Sequence, residues 1–514
     1  MENPILKCDY PDPDVIRVGD TYYMLSTTMH FFPGGAVLRS YDLVHWELIN
    51  YLYDILENTA GARLEKDAGI YGQGMWAPSL RYHEGTFYVC FVANDTHKTY
   101  LFYTKDIMGT WQRQEIEGFY HDASLLFDDS HVYIVYGNTE IYITELTPDL
   151  RRPKEGGLHR LLIKDTGHIR LGYEGCHIYK INGKYYLFMI HWGKDESARR
   201  SEACFVSDSL TGEFKGRDVL DDDIGYHNQG VAQGGIVDTP EGNWYAILFQ
   251  DSGAVGRIPV LLPVHFEDDF PVFGVDGKTP RQLQLPGIPA SRNASHSYEP
   301  LFTSSFTDDN GLPKLQWQWN HLPDTSYYTL EQTGYTITTN KLCTNITQAV
   351  NTLTQRLMYP DAEIQVTLDG SQMNDGDTAG LAALQGCYAY LGLTKENGSY
   401  FLVLTERNRG EISQNMKDMD ILPGTEAARI PIASPTVTLR MYADFSDMKD
   451  EVSFFYQSEN RWVPVGTPHK LYFLLDHFVG CRLGLFLYSA KKTGGQCRFS
   501  HFTYLTNTPE RVYP

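Results

Sequence analysis

Five short segments repeat one pattern and leave few folds open to the first half of the chain. They are GDTYYMLST (19–27), EGTFYVCFV (84–92), DSHVYIVYG (129–137), NGKYYLFMI (182–190) and EGNWYAILF (241–249). Each opens on turn residues and continues as an aromatic and aliphatic run, the chemistry of a tight turn feeding a buried strand. They recur about every 45–65 residues, as propeller blades with loop insertions do. A second motif follows in LRSYDLVHWEL (38–48), FYTKDIMGTWQ (102–112) and, more loosely, CFVSDSLTGEFK (204–215). There a strand ends in a Ser/Thr-x-Asp turn and the next strand carries Trp or Phe. Two hairpins per unit make about four strands, and five such units predict a five-bladed β-propeller. The competing arrangement is an array of β-sandwiches. Helical periodicity is nearly absent.

At 514 residues the chain is too long for one compact core. Its composition shifts near residue 290, where LPGIPASRNASHSYEP (285–300) is rich in Pro, Ser and Asn. Beyond it come alternating strand patterns at 326–340, 362–368, 399–406, 436–444, 451–457, 481–489 and 497–505. Strands at that density predict a β-sandwich. The expected division is a propeller over 1–290, a linker over 291–300 and a sandwich over 301–514. No acid–acid or His–acid pair in the second half has a catalytic pattern.

Charge narrows the partners. A formal net charge of −21 disfavours nucleic acid and anionic membranes, and favours a neutral ligand. Tyr 35, Phe 25 and Trp 8 supply surfaces on which sugars stack. No stretch approaches the roughly 20 apolar residues of a membrane span. No basic and apolar leader precedes Asp12, so a cytoplasmic protein is expected. The eight cysteines include no CxxC pair, which argues for reduced core thiols over a zinc site. A homo-oligomer is compatible with all of this.

In a propeller the inner strands converge on a central channel whose mouth binds ligands. Asp12, in the run DYPDPD (9–14), stands just ahead of the first unit. Asp122, in FYHDASLLFDD (119–129), precedes the third, and Glu174, in LGYEGCHIYKING (171–183), the fourth. Each lies about 7–12 residues before its aromatic strand, an offset that aims all three at one channel. Prolines on both sides leave Asp12 little backbone freedom. Taken singly, each acid has a plainer alternative as a turn residue. Taken together they suit glycoside hydrolysis, which needs one carboxylic acid and one carboxylate; a third raises the acid's pKa by like-charge repulsion.

NPILK…YPDPD, GMWAPSL (74–80), HDASL (121–125), EGCHIYK (174–180), VAQGGIVDTPEGNWYAILFQD (231–251) and VGRIP (255–259), in that order, resemble glycoside hydrolase family 43. The stretch SSFTDDNGLPKLQWQWNH (304–321) resembles the concanavalin-like sandwich of its β-xylosidase-type members. The resemblance implies an all-β protein and an inverting mechanism. It assigns Asp12 as general base, Glu174 as general acid and Asp122 as the acid's pKa modulator. Asp9 and Asp14 are expected to be outward or turn acids. Trp76 is implied as a subsite wall, with propeller core as the alternative. Arg257 is implied to address substrate hydroxyls or the acid, with a surface ion pair as the alternative. Met29, His30 and Phe31 stand where the family lines its pocket.

The family's axial histidine, a site for calcium or water, is replaced here by Gln233. Gln still offers a carbonyl oxygen that calcium accepts. His227 and Asn228 are further candidates for the axis. One calcium ion and no organic cofactor are therefore expected. The implied activity is exo-cleavage of short xylo- or arabino-oligosaccharides by a β-xylosidase, an α-L-arabinofuranosidase or a bifunctional enzyme. An endo-arabinanase and a noncatalytic sugar-binding propeller are the alternatives.

Overall fold

A computed structural model describes residues 2–167, 169–286, 296–411 and 419–507. Five four-stranded antiparallel sheets form the blades. Their innermost strands are Asp14–Val18, Ser79–His83, Ser124–Asp128, Ile169–Ile181 and Val231–Asp238. The repeated aromatic segments are the second strands, for example Thr21–Ser26 and Lys184–Gly193, and are largely buried. Alternate residues of each such strand meet the sheet on either side, so both faces carry large apolar groups. Blades one and five close the ring through the Arg17–Asp238 ion pair at 2.5 Å.

Two further sheets, of eight and seven strands, form the sandwich. Asp361–Asp369 shows why: its burial alternates strictly, with Ala362, Ile364, Val366 and Leu368 inward. The propeller supplies one strand of this second fold. Phe31–Phe32 pairs with Gln318–Asn320 at the edge of the eight-stranded sheet, with Trp319 opposite Phe32. A single apolar core then runs from Tyr22, Met24 and Ile247 of the propeller into Ile364, Leu439 and Leu485 of the sandwich. The last propeller strand ends at Phe273 and the sandwich strands begin at Gln318. Residues 291–295 of the expected linker lie outside the described residues.

Candidate active site

The acids are presented by a backbone device shared between blades. Asp12, Asp122 and Gln233 hold φ of +52°, +47° and +59°, and Gly175, next to Glu174, holds +64°. Left-handed backbone is costly for residues with a Cβ and clusters at functional sites. Two residues further on, Asp14, Ser124, His177 and Gly235 form one level across the channel, with Ser79 from the second blade. Asp14 Oδ1 lies 3.2 Å from His177 Nδ1. Arg81 donates to Asp14 Oδ2 at 2.8 Å and to Ser124 Oγ at 2.6 Å. Ser79 Oγ accepts the Leu125 N–H at 3.1 Å. A Cβ at Gly235 would stand 2.8 Å from Asp14 Oδ1. This polar layer floors the site.

Asp12 is shut in. Its Oδ1 accepts from Arg257 Nη1 at 2.8 Å and its Oδ2 from the Thr27 hydroxyl at 2.7 Å. The Ser26 hydroxyl and the Thr27 N–H donate to Pro11 O, which pins the YPDP turn to the neighbouring strand. Burial pushes the Asp12 carboxyl above its ordinary range, while Arg257 and Thr27 pull the other way.

Asp122 is equally buried, and its Oδ1 has no hydrogen-bond partner among the described residues. Burial pushes its carboxyl up to about 7; His121 opposes this, and the Glu174 and Asp12 charges add to it. His121, Asp122 and Glu174 bring one side-chain atom each within 4.8 Å of one another. Glu174 is more open, with 18% of its side chain exposed. Its Oε2 accepts from Asn138 Nδ2 and lies 3.4 Å from His121 Nε2.

Arg257 is buried and pairs with Asp12, not with Glu174 and not at the surface. The sandwich reaches it: Phe478 covers the guanidinium at 4.5 Å, with Phe473 at 5.9 Å. Phe478 also meets Trp76, ring centroids 5.7 Å apart, and Trp76 meets His121 at 5.8 Å. Trp76 thus bridges the acid side and the sandwich loop, and is half-buried as a wall would be. Met29 and Phe31 pack in the same apolar cluster as Trp76 and Phe478. His30 does not line the pocket. It is fully buried between the domains, against Phe31, Tyr71, His321 and His477.

Asp9 and Asp14 are not outward acids. Both are buried. Asp9 accepts the Arg257 N–H and the Gly480 N–H, each at 2.8 Å, and so ties blade five to the sandwich loop beside the base. A Cβ on Gly256 or Gly480 would strike Asp9 at 2.4 or 2.7 Å, which explains glycine at both positions. Burial pushes Asp14 up, but Arg81, His177 and the Leu80 N–H hold it below the usual carboxylate range. Sequence reasoning also missed Asn138 and Phe478. Asn138 ends the strand His131–Asn138 of the third blade, and neither it nor Phe478 carries a local signal.

At the axis, the Gln233 side chain lies 2.9 Å from where a Cβ on Gly175 would stand. Its N–H donates to Glu202 Oε2 at 2.7 Å, and Glu202 Oε1 is buried with no hydrogen-bond partner. Two oxygen donors fit a mostly hydrated calcium ion and not a protein-built cage. His227 is not on the axis: it pairs with Asp447 of the sandwich at 2.5 Å. Asn228 is exposed and donates to Ser197 O at 3.4 Å. Among the described residues, the cluster able to converge three His, Cys, Asp or Glu ligands is His121, Asp122 and Glu174.

The sequence profile of "Glycosyl hydrolases family 43" matches residues 1–271, and that of "Beta xylosidase C-terminal Concanavalin A-like domain" matches residues 305–505. The chain is 26% identical to a β-xylosidase of Formosa agariphila, over 99% of its own length and 90% of that protein's. It is 25% identical to a xylosidase/arabinosidase of Butyrivibrio fibrisolvens over 98% of both. A bifunctional GH43-CE protein of Bacteroides eggerthii superposes with a TM-score of 0.88 at 38% identity, over 99% of this chain; this chain spans 64% of that one. An engineered GH43 enzyme described as both endo-xylanase and exo-arabinofuranosidase superposes at 0.86 with 28% identity, over 99% of this chain and 100% of that one.

Proposed function

The chain belongs to glycosyl hydrolase family 43, and from that premise we propose an inverting exo-glycosidase that releases xylose, arabinose or both from short oligosaccharides. The observation that carries the proposal is the contrast between two carboxylates at one mouth. Asp12 is ion-paired with Arg257, which favours its charged form against the burial that opposes it. Glu174 is open to the channel, which suits an acid that must reach a leaving group.

In the proposed reaction, Asp12 takes a proton from a water that attacks the anomeric carbon. Glu174 gives its proton to the glycosidic oxygen as the C–O bond breaks. Arg257 holds Asp12 in place, and the Asp122 carboxylate favours the protonated form of Glu174. Phe478 projects from the sandwich onto Arg257 and Trp76, and a ring in that place supports exo-cleavage over an endo-acting cleft. Relatives named β-xylosidase and xylosidase/arabinosidase support the pentose assignment. Calcium beside Gln233 would accompany this chemistry as a hydrated ion; no step passes through it.

The test is hydrolysis of p-nitrophenyl β-xyloside, p-nitrophenyl α-L-arabinofuranoside, xylobiose and linear arabinan. Single pentoses from the first three are expected. Long fragments from arabinan would identify an endo-arabinanase, and no cleavage at all would leave a sugar-binding propeller.

A further inference from the structure

The two donors on Glu174 come from one place, the rim of the third blade. The Asn138 amide is itself oriented, because the Thr139 hydroxyl donates to its Oδ1 at 2.9 Å and leaves its amino end for Glu174. The backbone around it is tied on both sides. The Gly137 N–H donates to His121 O at 3.0 Å and the Thr139 N–H to Tyr173 O at 2.8 Å. Thr139 is itself left-handed, at φ +67°. A Cβ at Gly172 would lie 2.2 Å from Thr139 Oγ1, so the rims of blades three and four meet closely there. Burial pulls the His121 imidazole down, but the Asp122 and Glu174 carboxyls push it up to about 9. It therefore presents N–H groups through the neutral range.

We propose that His121 and Asn138 clamp Oε2 of Glu174 and thereby make Oε1 the oxygen that carries the catalytic proton. The inference rests on the acid role given to Glu174 above. A carboxylic acid has one hydroxyl and one carbonyl oxygen, and two N–H donors favour the carbonyl at the oxygen they face. In the transfer, the O–H bond at Oε1 breaks and the proton passes to the glycosidic oxygen. That oxygen keeps the electron pair of the breaking C–O bond. Glu174 is left as a carboxylate, which the same two donors stabilise more strongly than the acid. His121 and Asn138 are positioning residues: they act through Glu174.

Asn138→Ala and His121→Ala should each lower kcat on xylobiose about tenfold or more, and on an activated aryl xyloside less than about threefold, since acid catalysis matters where the leaving group is poor. KM should hold, and His121→Gln, which keeps a donor, should recover part of the loss. Equal losses on both substrates, or none, would overturn the clamp. A second readout does not depend on turnover. The His121 ring titrates by NMR, and in Glu174→Gln its midpoint should fall by about one pH unit or more, because a charged neighbour is lost. An unchanged midpoint would overturn the clamp even in an active enzyme. If the wild type cleaves neither substrate, the proposed activity fails while the NMR result still decides the contact.

Discussion

Asp12 and Glu174 stand at the same channel mouth in opposite settings. Asp12 is buried and accepts from Arg257 and Thr27, and its surroundings are held by the sandwich through Asp9, Gly480 and Phe478. Glu174 is partly open, held at one oxygen by blade three, and its described partners all come from the propeller. The difference follows from the chemistry asked of each. A base must stay charged and still while water is positioned on it, and a rigid ion pair does that. An acid must reach the leaving-group oxygen, so it needs access and one free oxygen. On the proposed roles, the sandwich reaches the surroundings of the base, and the described hydrogen-bond partners of the acid come from the propeller.

The sharpest way to break this contrast is to remove each carboxylate. Asp12→Ala should cost about 10²–10⁴-fold in kcat on xylobiose and on an aryl xyloside alike, since both need activated water. Glu174→Ala should cost as much on xylobiose but about tenfold or less on the aryl substrate, whose leaving group departs with little help from a proton. Steady-state kinetics on the two substrates read this directly; an Asp12→Ala enzyme that spares either one returns YPDP to the role of a turn.

The sandwich's share can be sharpened next. Phe478→Ala should raise KM about tenfold, roughly 1.4 kcal/mol of binding, because it strips the ring from Arg257 and Trp76. Its melting curve should match the wild type, as the ring is only half-buried. Unchanged KM would mean that the sandwich buttresses the pocket without entering it.

Asp122 tests the acid side. Burial holds its carboxyl at about 7. Below that pH it is already neutral, and Asp122→Asn should follow the wild-type rate. Above it, the wild type carries a charge beside Glu174 that the variant lacks. The basic limb of the pH–rate profile should therefore move down by about one unit. A limb that moves up, or curves that part below pH 7, would contradict the modulator role.

The smallest effect is on stability at the domain interface. Burial keeps His30, His321 and His477 neutral in the folded state, below their usual range. The unfolded chain takes up those protons as pH falls below about 6.5, so each histidine costs up to about 1.4 kcal/mol of stability per pH unit below that point. Asp122, Asp450 and Glu202, pushed up to about 7, 6 and 8 by burial, run the other way. The histidine term is therefore read as a difference. Relative to wild type, His30→Leu should gain about 1 kcal/mol or more in urea unfolding between pH 7 and pH 5. No relative gain would show that His30 is already protonated in the fold.

Local patterns carried the propeller and the positions of the three acids. Each blade is a run of hairpins between neighbouring segments, and each acid sits at a fixed offset from its own strand. What escaped the sequence depends on distant contacts. Asp9 and Asp14, beside prolines, have the look of solvated turn acids, yet their partners lie at Arg257, Gly480, Arg81 and His177. The strand Asp377–Leu384, DTAGLAAL, lacks the bulky residues of a strand pattern. It needs small ones, because a Cβ at Gly380 would meet Leu391 O at 2.4 Å. Phe31, read as a pocket residue, also belongs with Phe32 to an edge strand of the sandwich. His30, just ahead of that strand, is buried at the interface.

The central claim is that Asp12 activates water directly and forms no bond to the sugar. Proton NMR of the first sugar released from an aryl β-xyloside tests it without any variant. The account predicts α-xylose first, with β-xylose appearing only as mutarotation proceeds. β-Xylose as the first product would mean a covalent intermediate on the enzyme, and would contradict the assignment of Asp12 as the base.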